Sequence, residues 1–224
     1  ASVGDFAAPL IQGLPVIARN PAVWAKATAR HYQAFFDPTV QARFIREHRQ
    51  TFQDMAAQGV PVGDPEFFAA LNRGGGLSLG LLEKLPGGAQ VRGGLAPAGR
   101  QTFGRFQAGY NTFLGTARAH LWEGMKGQMP SSELAAYVRN LTGGLDSAAL
   151  GVGPGQRAGE ALWLAFSPRL LRSTFALGTD ALRFLAPNPT ARQAESMRTV
   201  ASMLTGAIGV YVVTGMALGK TQAE

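Results

Sequence analysis

The sequence predicts an all-α, multi-helix chain, extended and oligomeric rather than a compact bundle. Three observations carry this. β-branched alternation over four or more residues hardly occurs, whereas apolar residues recur at three- and four-residue spacing along most of the chain. Charged residues make up only 16% of the 224, well under the roughly 25% of an ordinary soluble domain. With 29 glycines and abundant alanine, that deficit points to helices that bury more than one face, in an assembly or a membrane.

In order, Asp5–Ala18 is apolar but interrupted by Pro9 and Pro15, which predicts short helical turns. Asn20-Pro21 starts a helix to about Phe36, with Asn as cap and Pro at the first position. Its apolar side carries Trp24, Ala27, His31, Ala34 and Phe35. Asp37-Pro38 repeats the signal, and one helix is expected from Pro38 to about Gln58 on Val40, Phe44, Ile45, Phe52 and Met55. Asp64-Pro65 starts a short helix through Phe67, Phe68 and Leu71. A glycine-rich linker over 74–98 then separates a basic N-terminal region, 1–73, from a helical module, 99–187.

The module opens on a long amphipathic helix from about Arg100 to Met129, with Phe103, Phe106, Tyr110, Phe113, Leu114, Ala117, Leu121 and Met125 in register. Its glycines at 104, 109, 115 and 124 each cost about 1 kcal/mol against alanine, acceptable where a neighbouring backbone comes close. Ser131 or Ser132 is expected to cap the next helix, which Gly143-Gly144 ends. Beyond a Gly/Pro loop, helix returns over Glu160–Phe166, and Ser167-Pro168 starts another to about Leu185.

The C-terminal region, 188–224, starts a helix near Asn188-Pro189. From Thr199 to Gly219 it has no charged residue, which at about 1.5 Å per residue just spans a hydrocarbon core of about 30 Å. Gly206, Gly209, Gly215 and Gly219 punctuate this stretch, the last two at close-packing spacing, and Arg198 and Lys220 bracket it. A buried central helix of an assembly explains it about as well as a bilayer.

The formal net charge of +7 favours acidic partners: nucleic acid, an anionic membrane or an acidic protein. Lys26, Arg30, Arg43, Arg46 and Arg49 form the basic face of the first two long helices. The aromatics lie on the opposite side, which argues against a base-stacking platform. Absence of cysteine excludes disulfides, thiolate metal sites and cysteine nucleophiles. Residues 1–20 lack a basic n-region, and a start at Ala1 suggests a piece of something larger.

No catalytic, cofactor or metal constellation is expected. His31, His48 and His120 lie far apart with no partner at metal spacing, and His31 and His120 read as core or boundary histidines. Gly151–Gly155 lacks the last glycine of a dinucleotide fingerprint, and Gly219-Lys220-Thr221 closes an apolar helix where a phosphate loop would open one. No small-molecule substrate is implied.

Three stretches, FGRFQAGYNTFLGTARAHLW, AAYVRNLTGGL and ALWLAFSPRLLR, carry Tyr110, Phe113, Leu114 and Arg118; Val138, Asn140, Thr142, Gly143 and Gly144; and Phe166, Ser167, Pro168, Arg169 and Leu170. Together with the lead-in QGLPVIARNPAVWAKATARHYQAF, this resembles a helical module of the very large polyvalent proteins of bacteriophages and related mobile elements. The resemblance covers about three quarters of the chain, and departs from the family where G-G-L replaces G-x-G after Thr142. It implies a non-enzymatic segment of an internal virion, DNA-ejection protein, with Asn140, Pro168 and Arg169 fixing helix ends. The expected partners are further copies of the chain, other virion proteins, DNA, and a membrane through 199–219. The expected places are the virion and, after ejection, the host envelope. The alternatives are an adaptor touching portal or tail proteins without a membrane, and a DNA-binding accessory region of a polyvalent enzyme.

Overall fold

A computed structural model of the chain describes residues 9–10, 13–37, 39–61, 88–144 and 168–217. Among these residues there are eight α-helices and no strand: α1 Leu14–Arg19, α2 Pro21–Phe36, α3 Thr39–Glu47, α4 Arg49–Ala57, α5 Gly88–Met125, α6 Ser131–Leu141, α7 Pro168–Arg183 and α8 Ala191–Ala217. The all-α expectation holds. The helices expected at 65–71 and 160–166 lie outside the described residues.

The expected start signals act largely as read. The Asn20 side chain accepts from the Val23 backbone N–H at 3.1 Å, and Pro21 takes the first position of α2. The Asp37 carboxylate accepts from the backbone N–H and hydroxyl of Thr39 at 3.0 and 2.7 Å, capping the start of α3. Two boundaries differ. The single helix expected over 38–58 is two, α3 and α4, bent at His48 (φ −107°, ψ 29°). Backbone bonds from His48 to Phe44 and from Phe52 to His48, both 3.0 Å, carry the ladder across, so the break is a bend. And α5 already includes residues 88–99 rather than starting near Arg100, which makes the end of the expected linker helical.

Nor is Ser131 or Ser132 a cap. Pro130 holds that position in extended geometry, with no side-chain bond to the helix end. At the other end of α6, Gly143 adopts φ +68°, and the Gly144 N–H returns to the Arg139 carbonyl at 2.8 Å. Gly143 is therefore the left-handed residue that closes α6, a role needing no third glycine.

The core forms around the C-terminal half of α5, where residues 112–119 are buried without interruption. α2 packs along α5, α3 and α4 follow its next side, and α6 closes over the C-terminal end. Phe44, Phe52, Met55, Tyr110, Phe113, Leu114, Leu121, Trp122, Leu134, Tyr137, Val138 and Leu177 belong to one continuous apolar cluster. The described parts of the expected N-terminal region and of the helical module thus share a single core. Gly109 is where α2 and α5 come closest: a Cβ there would lie 3.0 Å from the His31 carbonyl oxygen and 3.2 Å from its ring. The glycine on this apolar stripe allows that approach, as its spacing suggested.

Gly109→Val should force α2 off α5 and cost about 2 kcal/mol, read as a lower urea midpoint with an unchanged slope. Wild-type stability in that variant would show that the two backbones are not in tight contact.

Candidate functional site

The C-terminal helix divides sharply into a root and a free rod. In the root, Glu195, Ser196 and Thr199 are buried. The Glu195 carboxylate, 5% exposed, binds Arg19 of α1 at 2.6 Å and also Arg198. The Thr199 hydroxyl meets the Tyr137 hydroxyl of α6 at 2.8 Å. Burial pushes the Tyr137 phenol up to about 12, against the opposing pull of the Thr199 hydrogen bond and of Arg19. One turn earlier, Arg192 binds the buried Asp180 of α7 at 3.1 Å, while its backbone N–H donates to Glu133 of α6 at 3.1 Å. Ionic and hydroxyl contacts therefore fasten α8 to α1, α6 and α7.

Past residue 200 the fastening stops. Leu204, Ile208, Val210, Tyr211, Val213 and Met216 are all more than half exposed, Tyr211 reaching 78%. The most apolar 18-residue window of α8 has mean hydropathy 1.6, and none of it is buried. A core helix of a soluble protein also reaches such hydropathy, but it does so under cover. A Cβ at Gly206, Gly209 or Gly215 would meet nothing within 4 Å. Those glycines leave open flank on the rod and face no partner among the described residues. Gly219, their expected companion, lies outside the described residues.

The motif residues prove to be fold determinants. Tyr110 and Phe113 sit in the core, 1% and 0% exposed. Arg118, fully buried, donates to the Thr142 hydroxyl at 2.9 Å and to the Pro61 carbonyl at 2.7 Å. A Cβ at Gly144 would lie 2.9 Å from the Arg118 guanidinium. The arginine after Y-x-x-F-L and the T-G-G that ends α6 therefore form one lock. Asn140 does not fix a helix end: its amide donates to Asp180 at 3.2 Å, tying α6 to α7. Pro168 is the first described residue of α7. The Arg169 side chain lies outside the described part.

The expected basic face is partly committed. Arg43 pairs with Asp37 at 3.2 Å, and the Arg30 guanidinium stands 5.0 Å from the Phe44 ring centre. Lys26, Arg46 and Arg49 are exposed.

Distance in sequence concealed one cluster. His48 at the α3–α4 bend and His120 on α5 meet edge to face, ring centres 5.6 Å apart. Both address Glu123, with Nδ1–oxygen distances of 2.9 Å for His48 and 3.6 Å for His120, and the Thr51 hydroxyl donates to it at 2.7 Å. Burial lowers the His120 imidazole below its ordinary value; Glu123 pulls it back, and Lys26 and His48 push it further down. For Glu123, burial acts upward, but the hydrogen bonds from His48 and Thr51 outweigh it and hold the carboxyl low. Among the described residues no group of three or more His, Cys, Asp or Glu is placed to hold a metal ion. Comparison of the chain with protein-family models, with curated proteins and with solved structures finds no match.

Two outcomes follow. Arg118→Met should cost about 3 kcal/mol, because it strips a charged donor from buried acceptors at two helix ends; equilibrium urea unfolding measures it. For His120, a folded value below the unfolded one means that the unfolded chain binds the proton first. Its contribution is complete above about pH 6.5 and is lost as pH falls through the lower, folded value. Wild-type stability should therefore decline on acidification through the histidine range, and His120→Gln should flatten that slope; parallel slopes would contradict it.

Proposed function

We propose that this chain is a non-enzymatic, membrane-engaging segment of a phage internal virion, DNA-ejection protein, which self-associates and assists genome delivery across the host envelope. The observation that carries the reading is α8, an apolar rod held rigidly at its polar root and uncovered along the rest of its length. The charge-free part described, 199–217, is about 28 Å long, close to the hydrocarbon thickness of a bilayer. The open flanks at Gly206, Gly209 and Gly215 support packing of such helices against each other within the membrane. The exposed Lys26, Arg46 and Arg49 suit packaged DNA or anionic headgroups. The resemblance of the Tyr110–Arg118, Asn140–Gly144 and Phe166–Leu170 stretches to the phage module supplies the biological setting: the virion first, then the host envelope.

Flotation of the protein with anionic vesicles tests this, using the whole chain and a chain ending at Thr199. The whole chain should rise with the vesicles and the shortened one should stay below. If neither rises while the whole chain still self-associates, the reading gives way to a virion adaptor that buries α8 in protein.

A further inference from the structure

We infer that α7 is a second lipid-contacting element, which lies at the boundary of an anionic bilayer beside the point where α8 enters it. The inference rests on the membrane reading of α8 but uses different residues.

α7 has two apolar faces. The inner one, Leu170, Leu177 and Ala181 with the polar Ser173 and Asp180, is buried against the rest of the protein. The outer one carries Leu171, Phe175 and Leu182, with Leu185 just past the helix end; Phe175 and Leu182 are each 70% exposed and Leu185 75%. Spacings of four and seven residues place the three helical members in one stripe. A run of large exposed apolar side chains on a helix of this length marks a contact surface.

Lipid suits this face better than a second copy of the chain. The one carboxylate of α7, Asp180, turns inward to Asn140 and Arg192, 3.2 and 3.1 Å away. The exposed charge on its outer side is Arg183, a cation. A symmetric pair would set like charges together, whereas lipid phosphates complement them. The polar groups agree. The Thr174 hydroxyl bonds to the Leu170 carbonyl at 2.8 Å, and Thr179 to Phe175 at 2.9 Å. Thr205 on the rod does the same with Ala201 at 2.9 Å. These hydroxyls are satisfied within their own helices and do not need water. Charges on a 16-residue helix forbid a spanning position, so α7 belongs at the interface, apolar stripe down and Arg183 at phosphate level.

The absence of cysteine makes the test direct. Single cysteines at Phe175→Cys and Leu182→Cys on α7, Ile208→Cys on α8 and the exposed position Gln53→Cys on α4 each carry an environment-sensitive fluorophore, with helicity checked by circular dichroism. The probes are vesicles of phosphatidylcholine with phosphatidylglycerol, and of phosphatidylcholine alone. With the anionic vesicles, labels at 175, 182 and 208 should shift to the blue with a several-fold rise in emission, and the label at 53 should not. Shallow lipid quenchers should act most at 175 and 182, deep ones at 208. Arg183→Gln, or neutral vesicles, should weaken the response at 175 and 182. A response at 208 with aqueous emission at 175 and 182 overturns the α7 proposal and leaves the α8 reading standing. A response at 175 and 182 with 208 silent overturns the α8 reading, and with it the placement of α7 beside an inserted rod. A blue shift at 175 that grows with protein concentration in the absence of lipid would identify a second copy as the occupant and overturn the proposal.

Discussion

Arg118 lies fully buried on α5 and donates to acceptors at the ends of two other helices, the Pro61 carbonyl just past α4 and the Thr142 hydroxyl at the end of α6. A desolvated guanidinium is costly unless its donors are directed to acceptors, and orphan carbonyls at helix ends are costly unless they receive donors. Each need answers the other here. The lock ties the segment after α4 and the end of α6 to α5, beside the core that Phe113, Leu114, Tyr137 and Val138 fill. Gly144 belongs to the same constraint, because any side chain at that position would collide with the guanidinium.

A chain of polar contacts extends from that core to the root of α8. Asn140, one turn from the lock, holds Asp180; Asp180 holds Arg192; and Glu195, a turn further along α8, holds Arg19 and Arg198. Buried carboxylates that each meet a guanidinium fix register more than they add stability, since unpairing either side strands a charge. Their effect is to set the root of α8 against α1, α6 and α7. An apolar rod attached by a loose hinge would collapse onto the head. This one is held away, and its large side chains remain uncovered.

Exposed apolar surface on this scale has a physical consequence whatever covers it. At roughly 25 cal/mol per Å² of buried apolar area, enclosing a rod of leucine, isoleucine, valine, tyrosine and methionine side chains is strongly favourable. The outer stripe of α7 adds to the same drive. The His48–His120–Glu123 cluster stands apart from this surface, at the contact of the α3–α4 bend with α5.

Much was legible in the sequence by itself. Helical spacing alone implied an all-α chain, and Asn20-Pro21 and Asp37 marked helix starts because capping is a local interaction between neighbours. The charge-free run was visible for the same reason, as a property of consecutive residues. What local pattern does not encode is which distant residues meet. His48 and Glu123 are 75 positions apart and Arg19 and Glu195 are 176 apart, so neither pair left a trace in spacing. Asn140 looked like a helix end and is a tether, because its partner Asp180 sits on another helix. The same limit applies to the rod. Its composition fitted a covered helix and an uncovered one equally, since burial is decided by neighbours, and only the tertiary structure shows that Leu204, Ile208, Val210, Tyr211, Val213 and Met216 stay exposed among the described residues.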